Sequence, residues 1–343
     1  MAFKSPDISS VHFASLREQL PSMSGKTVAI TGTTSGTGRA AAGVVADLGA
    51  KVVLLNRPST RSSSSLDALR TEFPEAEIHA VDCDLQSFAS VAKAGHTVSD
   101  LCPEGVHVLC NNAGVMALGD EATQDGFDVQ MQTNHLSHFL LTRDLWPLLT
   151  LAAAESGEAR VVNHSSVARL GPKRTLIPKY LEQRGGQLGG NGWGPINAMM
   201  LGPRWLRYNQ SKLANCAFTA ALHERTAATG SRVKALVAHP GFANTNLQRN
   251  TVQHGGMGRA LTPLMMRFSQ SIEDGALGIL SCMSLPQAQS GQFYGPGATG
   301  FKGAAKPFPL EAFYDNPTTR ALIWEKSEAA IGGAFSTESR SSN

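Results

Sequence analysis

The sequence predicts one α/β domain, a doubly wound parallel sheet of about seven strands with helices on both faces. Three observations carry this. Short apolar runs alternate with helix-length segments along most of the chain, with no internal repeat or low-complexity array. The first run, Thr27 to Ile30, breaks into a turn holding Gly32, Gly36 and Gly38 and continues into an Ala-rich helical segment. The second run, Lys51 to Leu55, is near-continuously apolar, as expected of a parallel strand covered on both faces.

Bulk properties narrow the function. The chain has 343 residues, of which 42% are hydrophobic and 17% charged, enough apolar material for a large core. No linker cuts it, so we expect a polar leader over 1–24, one domain over 25–335 and a polar tail over 336–343. A net charge of +3 without a basic block gives no reason to expect nucleic acid or anionic lipid as partner. The five cysteines lack C-x-x-C spacing and read as free thiols, and no metal site is expected. No apolar stretch is long enough to span a membrane, and no secretory or transit signal is legible, so a cytoplasmic protein is expected.

Taken in order, the leader carries one short helix near Val11 to Leu20. Glycine is required where the backbone adopts positive φ or lies against a ligand, and amides opening the next helix face a phosphate with the helix dipole behind them. The loop Gly32, Thr34, Ser35, Gly36, Thr37, Gly38 is therefore the expected pyrophosphate cradle. The tip of strand two reads Asn56-Arg57. A neutral residue beside an arginine suits a 2′-phosphate, so NADP(H) is the expected cofactor. Strand three, Glu77 to Val81, leads to Asp84 and Leu85; Asp84 is a candidate for the adenine amino group and equally for the cap of a helix from Gln86. Strand four, Val106 to Cys110, delivers Asn112, Ala113 and Gly114 to the carboxyl edge of the sheet, where ligands of such folds sit.

A helix over Phe127 to Trp146, stopped near Pro147, contains Asn134 at mid-helix, where a weak helix former needs a reason: a structural amide, or a bend that holds a water. His135 and His138 read as structural or surface residues. Strand five, Arg160 to Asn163, delivers Ser165 and Ser166. An irregular Gly-rich stretch, 167–206, separates it from a helix opened by Tyr208 and Lys212, which share one face. Strand six, Val233 to Ala238, ends at Pro240, Gly241 and Thr245, a turn over the cofactor. Residues 246–270 are a candidate substrate lid. A helix over Glu273 to Leu285, a strand at Gln292 to Tyr294 and a helix over Pro317 to Ile331 complete the domain.

In this order TGTTSGTG, NNAG, Asn134, the Ser-Ser pair, YNQSK and HPGFANT resemble the classical short-chain dehydrogenases/reductases, over nearly the whole span from Gly25 to Ile331. NHLSHFLLT, YNQSKLAN, HPGFANTNL and FYGP are most similar to the retinol-dehydrogenase-like branch. The resemblance implies a Rossmann-type domain and hydride transfer between a nicotinamide and a carbonyl or alcohol carbon. It implies Tyr208 as acid and base, Lys212 lowering the phenol's pKa and holding the ribose, Ser166 on the substrate oxygen, and Asn134 holding a relay water. It also implies a homo-oligomer through the helices starting near Phe127 and Tyr208. The chain departs from the family in the length of 167–206. Met199, Met200, Leu201, Trp205, Met265 and Met266 suggest a lipophilic small-molecule substrate, and core packing explains many of them equally well. The insertion leaves two alternatives, an NADPH-dependent C=C reductase of the protochlorophyllide-reductase type and a non-catalytic NADP-binding scaffold.

Overall fold

The computed structural model describes residues 8–192, 200–258, 262–296 and 300–338. Eight strands form one sheet: β1 (Thr27–Thr31), β2 (Lys51–Asn56), β3 (Ile78–Asp82), β4 (Val108–Asn111), β5 (Ala159–His164), β6 (Val233–Ala238), β7 (Gln292–Pro296) and β8 (Ala305–Pro309). Their order is β3-β2-β1-β4-β5-β6-β7-β8, so the winding reverses between β1 and β4. β1 to β7 run parallel, with Thr31 opposite Leu55 and Ile30 opposite Cys110. One core, around Ala41, Val45, Leu54 and Ile279, lies under the helices Gly36–Asp47 and Ile272–Ser284. The other, around Val91, Phe139, Leu213 and Trp324, lies under Phe88–Leu101, Ser137–Asp144, Pro203–Ala228 and Pro317–Ile331.

Four sequence expectations change. The eighth strand pairs antiparallel with β7; Pro307 and Pro309 hid it, yet proline is tolerated on an edge strand because its missing N–H faces the open side. The helix expected over Phe127 to Trp146 is three pieces: α-helix at Val129–Met131, a π turn at Gln132–Leu136 and α-helix at Ser137–Asp144. Pro147 does not merely stop it but sits in the first turn of a further helix, Trp146–Ser156, where no amide partner is required. Tyr208 does not open its helix, which begins at Pro203, after Gly202 with φ +87°.

The leader is docked. Asp274, at the start of its helix, accepts from Ser10 Oγ (2.9 Å), Val11 N (2.8 Å) and His12 N (3.0 Å). Leu20 and Met23 are buried. Its helix is only Phe13–Arg17.

The described part of 167–206 is held by buried charge. Asp120 accepts from the amides of Gly186 (2.9 Å), Leu188 and Gly189. Arg207, fully buried, donates to Asp128 Oδ2 (2.6 Å) and to the carbonyls of Leu118 (2.9 Å) and Gly119 (3.2 Å), while Arg204 donates to Gly190 O (2.9 Å) and His254 O (2.6 Å). Asp128 also caps Val129–Met131 through the amides of Gln130 and Met131. Burial, joined by the neighbouring Asp120 charge, raises the Asp128 pKa against the pull of Arg207 and the Met131 amide. Removing one partner strands a buried charge, which costs about 3 to 5 kcal/mol. Arg207→Met is therefore expected to lower the urea midpoint by a corresponding amount, whereas loss of an exposed pair such as Arg184–Glu182 should leave it nearly unchanged; equal midpoints for the two removals would refute the ranking.

Candidate active site

Where the winding reverses, the carboxyl ends of β1 and β4 splay and leave a cleft of about 430 Å³. A larger hollow, about 650 Å³, opens at the opposite strand edge among Lys26, Lys51, Glu77 and Glu104, where the charges pair with one another (Lys51 to Glu104, 3.0 Å). Only the first cleft gathers the loops singled out above.

Its floor is set by contact distance. Gly32 has φ +72°, and a Cβ there would lie 2.8 Å from Ala113 Cα. At Gly38 a Cβ would lie 2.3 Å from Asn112 Nδ2 and 2.4 Å from Gly32 O, so no side chain fits. Thr31 Oγ1 accepts from the amides of Asn112 and Ala113 (3.0 Å each). Asn112 Nδ2 donates to Thr31 O (2.8 Å) and Gly32 O (3.2 Å), and its Oδ1 accepts from Thr37 Oγ1 (3.2 Å) and meets His164 Nδ1 (2.8 Å). The structure brings Gly32, Thr34, Ser35, Gly36 and Thr37 to the cleft wall and keeps Gly38 behind it, as a packing residue.

Asn56 and Arg57 also line the cleft, differently. Both ends of the Asn56 amide are spent on Thr33, whose N it accepts and whose Oγ1 it donates to, at 2.8 Å each. Arg57 is exposed, beside Ser59 and Arg61. Asp84 and Leu85 lie on the wall. Asp84 Oδ1 accepts from Gln86 N (3.0 Å), but the helix cap is Ser87, ahead of Phe88–Leu101. Ala113, Gly114, Pro240 and Thr245 line the cleft; Thr245 donates to Gln248 Oε1 (2.8 Å). Gly241 is placed elsewhere, where its Cβ would meet Phe301 O (2.6 Å) and Pro296 Cγ (2.7 Å).

Tyr208 and Lys212, each 4% exposed, form the wall beyond β5. The two serines divide. Ser165 Oγ donates to the Lys212 carbonyl (2.7 Å), whereas Ser166 Oγ accepts from Ala168 N (3.1 Å) and lies on the cleft wall with Tyr208. Lys212 Nζ donates to His164 O (2.9 Å) and lies 6.0 Å from the Tyr208 ring centroid. Burial pushes Tyr208 up to about 12, with only Ser166 opposing, and burial pushes Lys212 down to about 8.

Asn134 sits in the π turn, not on the cleft wall. Its Oδ1 accepts from Val115 N (2.8 Å), and its Nδ2 donates to Val115 O (3.0 Å) and Ser211 Oγ (2.8 Å). His138, expected as structural or surface, is buried and bridges Asn134 O (3.1 Å) and Thr31 Oγ1 (2.9 Å); buried His135 meets Ser327 (2.8 Å).

Behind Tyr208 packs a small buried apolar cluster, Ala117, Trp205, Val252 and Met257, with Trp205 edge-on to the phenol ring at 5.9 Å. Met200 and Leu201 are exposed and Met266 is buried, while Met199 lies outside the described residues. Sequence reasoning missed Ser59, Arg61, Thr133 and His164, which also line the cleft. The signal for Arg61 was Ser59 as a helix cap, which sets Arg61 in the first turn beside the β2 tip.

Two buried polar atoms on this wall, His164 Nε2 and Thr133 Oγ1, have no partner. With the glycine floor, they fit a polar ligand lying along the cleft. Among the described residues no group of three potential metal ligands occurs, and no helix is long and apolar enough to cross a membrane.

Known proteins match this arrangement. Residues 26–178 match the short chain dehydrogenase family model. The short-chain dehydrogenase TIC 32 A of Brassica napus is 35% identical over 243 residues, 71% of this chain and 70% of its own. Human retinol dehydrogenase 14 is 31% identical over 329 residues, 90% of this chain and 87% of its own. A crystal structure of an uncharacterized protein from Mycobacterium paratuberculosis superposes with a TM-score of 0.67 at 29% identity, covering 96% of this chain and 99% of the other. The chain belongs to the short-chain dehydrogenase/reductase family of nicotinamide-dependent oxidoreductases, with retinol dehydrogenases among its relatives.

Proposed function

We propose that the protein interconverts a carbonyl and an alcohol on a lipophilic small molecule, using NADP(H). The observation that carries the reading is the convergence of Ser166, Tyr208 and Lys212 on one wall of the cleft, backed by the buried apolar cluster of Trp205, Val252 and Met257.

When bound, the nicotinamide supplies or takes up the hydride. In reduction Tyr208 gives its phenolic proton to the substrate oxygen as negative charge develops there, and Ser166 donates a hydrogen bond to the same oxygen. A phenol held near pKa 12 is protonated at every working pH and suits this direction. In oxidation Tyr208 acts as the base, and the Lys212 ammonium favours the phenolate. Lys212 also holds the cofactor's ribose hydroxyls. The Asn134 amide is engaged with Val115 and Ser211, so a relay water must use the one remaining lone pair of its Oδ1. Arg57, exposed at the β2 tip, selects the 2′-phosphate, and a reducing NADPH pool sets carbonyl reduction as the working direction.

Titration followed by reduced-nicotinamide fluorescence should show tighter binding of NADPH than of NADH, and Arg57→Ala should remove about tenfold of NADPH affinity; equal affinities would refute the NADP assignment. Tyr208→Phe should retain cofactor binding but lose at least about a hundredfold in turnover on any aldehyde or ketone that the wild type reduces.

Lys212 gives a pH prediction. From pH about 8 to 10.5 the folded chain binds fewer protons at Lys212 than the unfolded chain, so its contribution to stability rises with pH across that window. Below it both states are charged, and above it both are neutral. The stability of cofactor-free wild type relative to Lys212→Met should therefore increase between about pH 7.5 and pH 10 in urea unfolding; a constant difference would show that the ammonium is not desolvated.

A further inference from the structure

We propose that Arg169 is a positioning residue for Ser166: its guanidinium, locked by Glu311 and the face of Phe293, fixes the turn that carries the serine and ties the antiparallel edge of the sheet to the reacting wall. The inference rests on the reading of Ser166 above and adds to it a residue that does not line the cleft.

Ser166 follows β5 and opens a turn of 3-10 helix, Val167–Leu170, which its own Oγ caps by accepting from Ala168 N (3.1 Å). So short a turn is weakly held by its own hydrogen bonds, and its pose depends on what grips it from outside. The helix of Tyr208 supplies one grip: Gly171, which ends the turn, lies so close to Asn209 that a Cβ would meet that side chain at 2.3 Å. Arg169 supplies a second. It is 5% exposed, and it donates from Nε to Glu311 Oε2 (2.6 Å) and from Nη1 back to Ser166 O (3.3 Å), the carbonyl that its own amide also reaches (3.1 Å). Its Cζ stands 4.4 Å from the ring centre of Phe293 in β7 and 6.0 Å from that of Phe308 in β8.

Packing alone does not call for this charge. A buried ion pair seldom outdoes apolar residues of the same volume in stability, and a methionine between the turn and the two rings would avoid the desolvation. What the guanidinium supplies is a planar fork with donors in fixed directions, and here two of them join Glu311 to the Ser166 carbonyl. Glu311 is itself held: its carbonyl accepts from Tyr314 N and Asp315 N (3.0 Å each), and Tyr314 is fully buried. The rings under the guanidinium are fixed by strand register, Phe293 opposite Phe308, with centres 4.6 Å apart. A carboxylate 142 residues further along the chain therefore sets where the Ser166 backbone stands. A misplacement of about 1 Å in a group that orients reacting atoms costs up to about a hundredfold in rate, so this grip bears on turnover.

The test is steady-state reduction of an aldehyde or ketone that the wild type accepts, with the NADPH dissociation constant measured on the same samples. Glu311→Gln, which keeps the shape and removes the charge, should lower kcat about tenfold and leave KM and the NADPH constant unchanged. Arg169→Lys, which keeps the charge and removes the fork, should lose at least as much. In a Ser166→Ala background Glu311→Gln should cost nothing further, because both act on one group. The same loss in both backgrounds shows a general structural role and overturns the proposal. So does a wild-type kcat in Glu311→Gln or in Arg169→Lys, or a rise in KM and in the NADPH constant with kcat kept. If Ser166→Ala itself leaves turnover intact, the role of Ser166 in the functional reading falls, and this inference falls with it.

Discussion

The close approach of the turn after β1 to the turn after β4 is the constraint on which the rest of the molecule depends. Gly32 and Gly38 carry no side chain because Ala113, Asn112 and a backbone carbonyl occupy the space. The Thr31 hydroxyl and the Asn112 amide then stitch the two turns together through short hydrogen bonds. From Asn112 the network passes to Thr37 and His164, and from Thr31 through His138 to the π turn at Asn134. The glycine floor, the Asn134 bend and the carbonyl that receives Lys212 are thus one hydrogen-bonded body. A shift in any of these turns moves the others, so the cleft's polar geometry is set before a ligand arrives.

Burial governs the chemistry of the wall built on that body. It acts oppositely on Tyr208 and Lys212, raising the acid and lowering the base, because it penalises whichever form is charged. In the cleft both groups are therefore pushed toward their neutral forms. His164 is driven down to about 3 by the same effect, so it serves this wall as a neutral ring, donating through Nδ1 to Asn112.

Much of this was legible in the sequence. Glycines forced by contact, parallel strands buried on both faces and the Tyr208–Lys212 spacing are local patterns with few alternatives. What stayed hidden depended on partners far along the chain. β8 exists only because β7 offers an edge that two prolines can join. The π turn is supported by Val115 and Ser211, neither adjacent to Asn134 in sequence. Asn56 and Gly241 had the right residue types in the right places, yet Thr33 and Phe301 claimed them. Arg61 lay in a serine-rich stretch where Ser59, as a cap, was the one mark of the helix's first turn.

The segment 167–206 and the segment 246–270 read as separate additions, an insertion and a lid. Their described parts are joined. Trp205 Nε1 donates to Gly256 O (2.8 Å), Arg204 donates to His254 O (2.6 Å), and Thr251 Oγ1 donates to Met116 O (2.9 Å). Both segments thereby bear on the stretch after β4 and on the ring of Tyr208. Separating 246–270 from the rest would cost Arg204 its bond to His254 O and leave the Trp205 indole N–H without its acceptor, which is costly. The buried cluster behind Tyr208 is therefore one packed unit with the start of the Pro203–Ala228 helix, held by contacts from both segments.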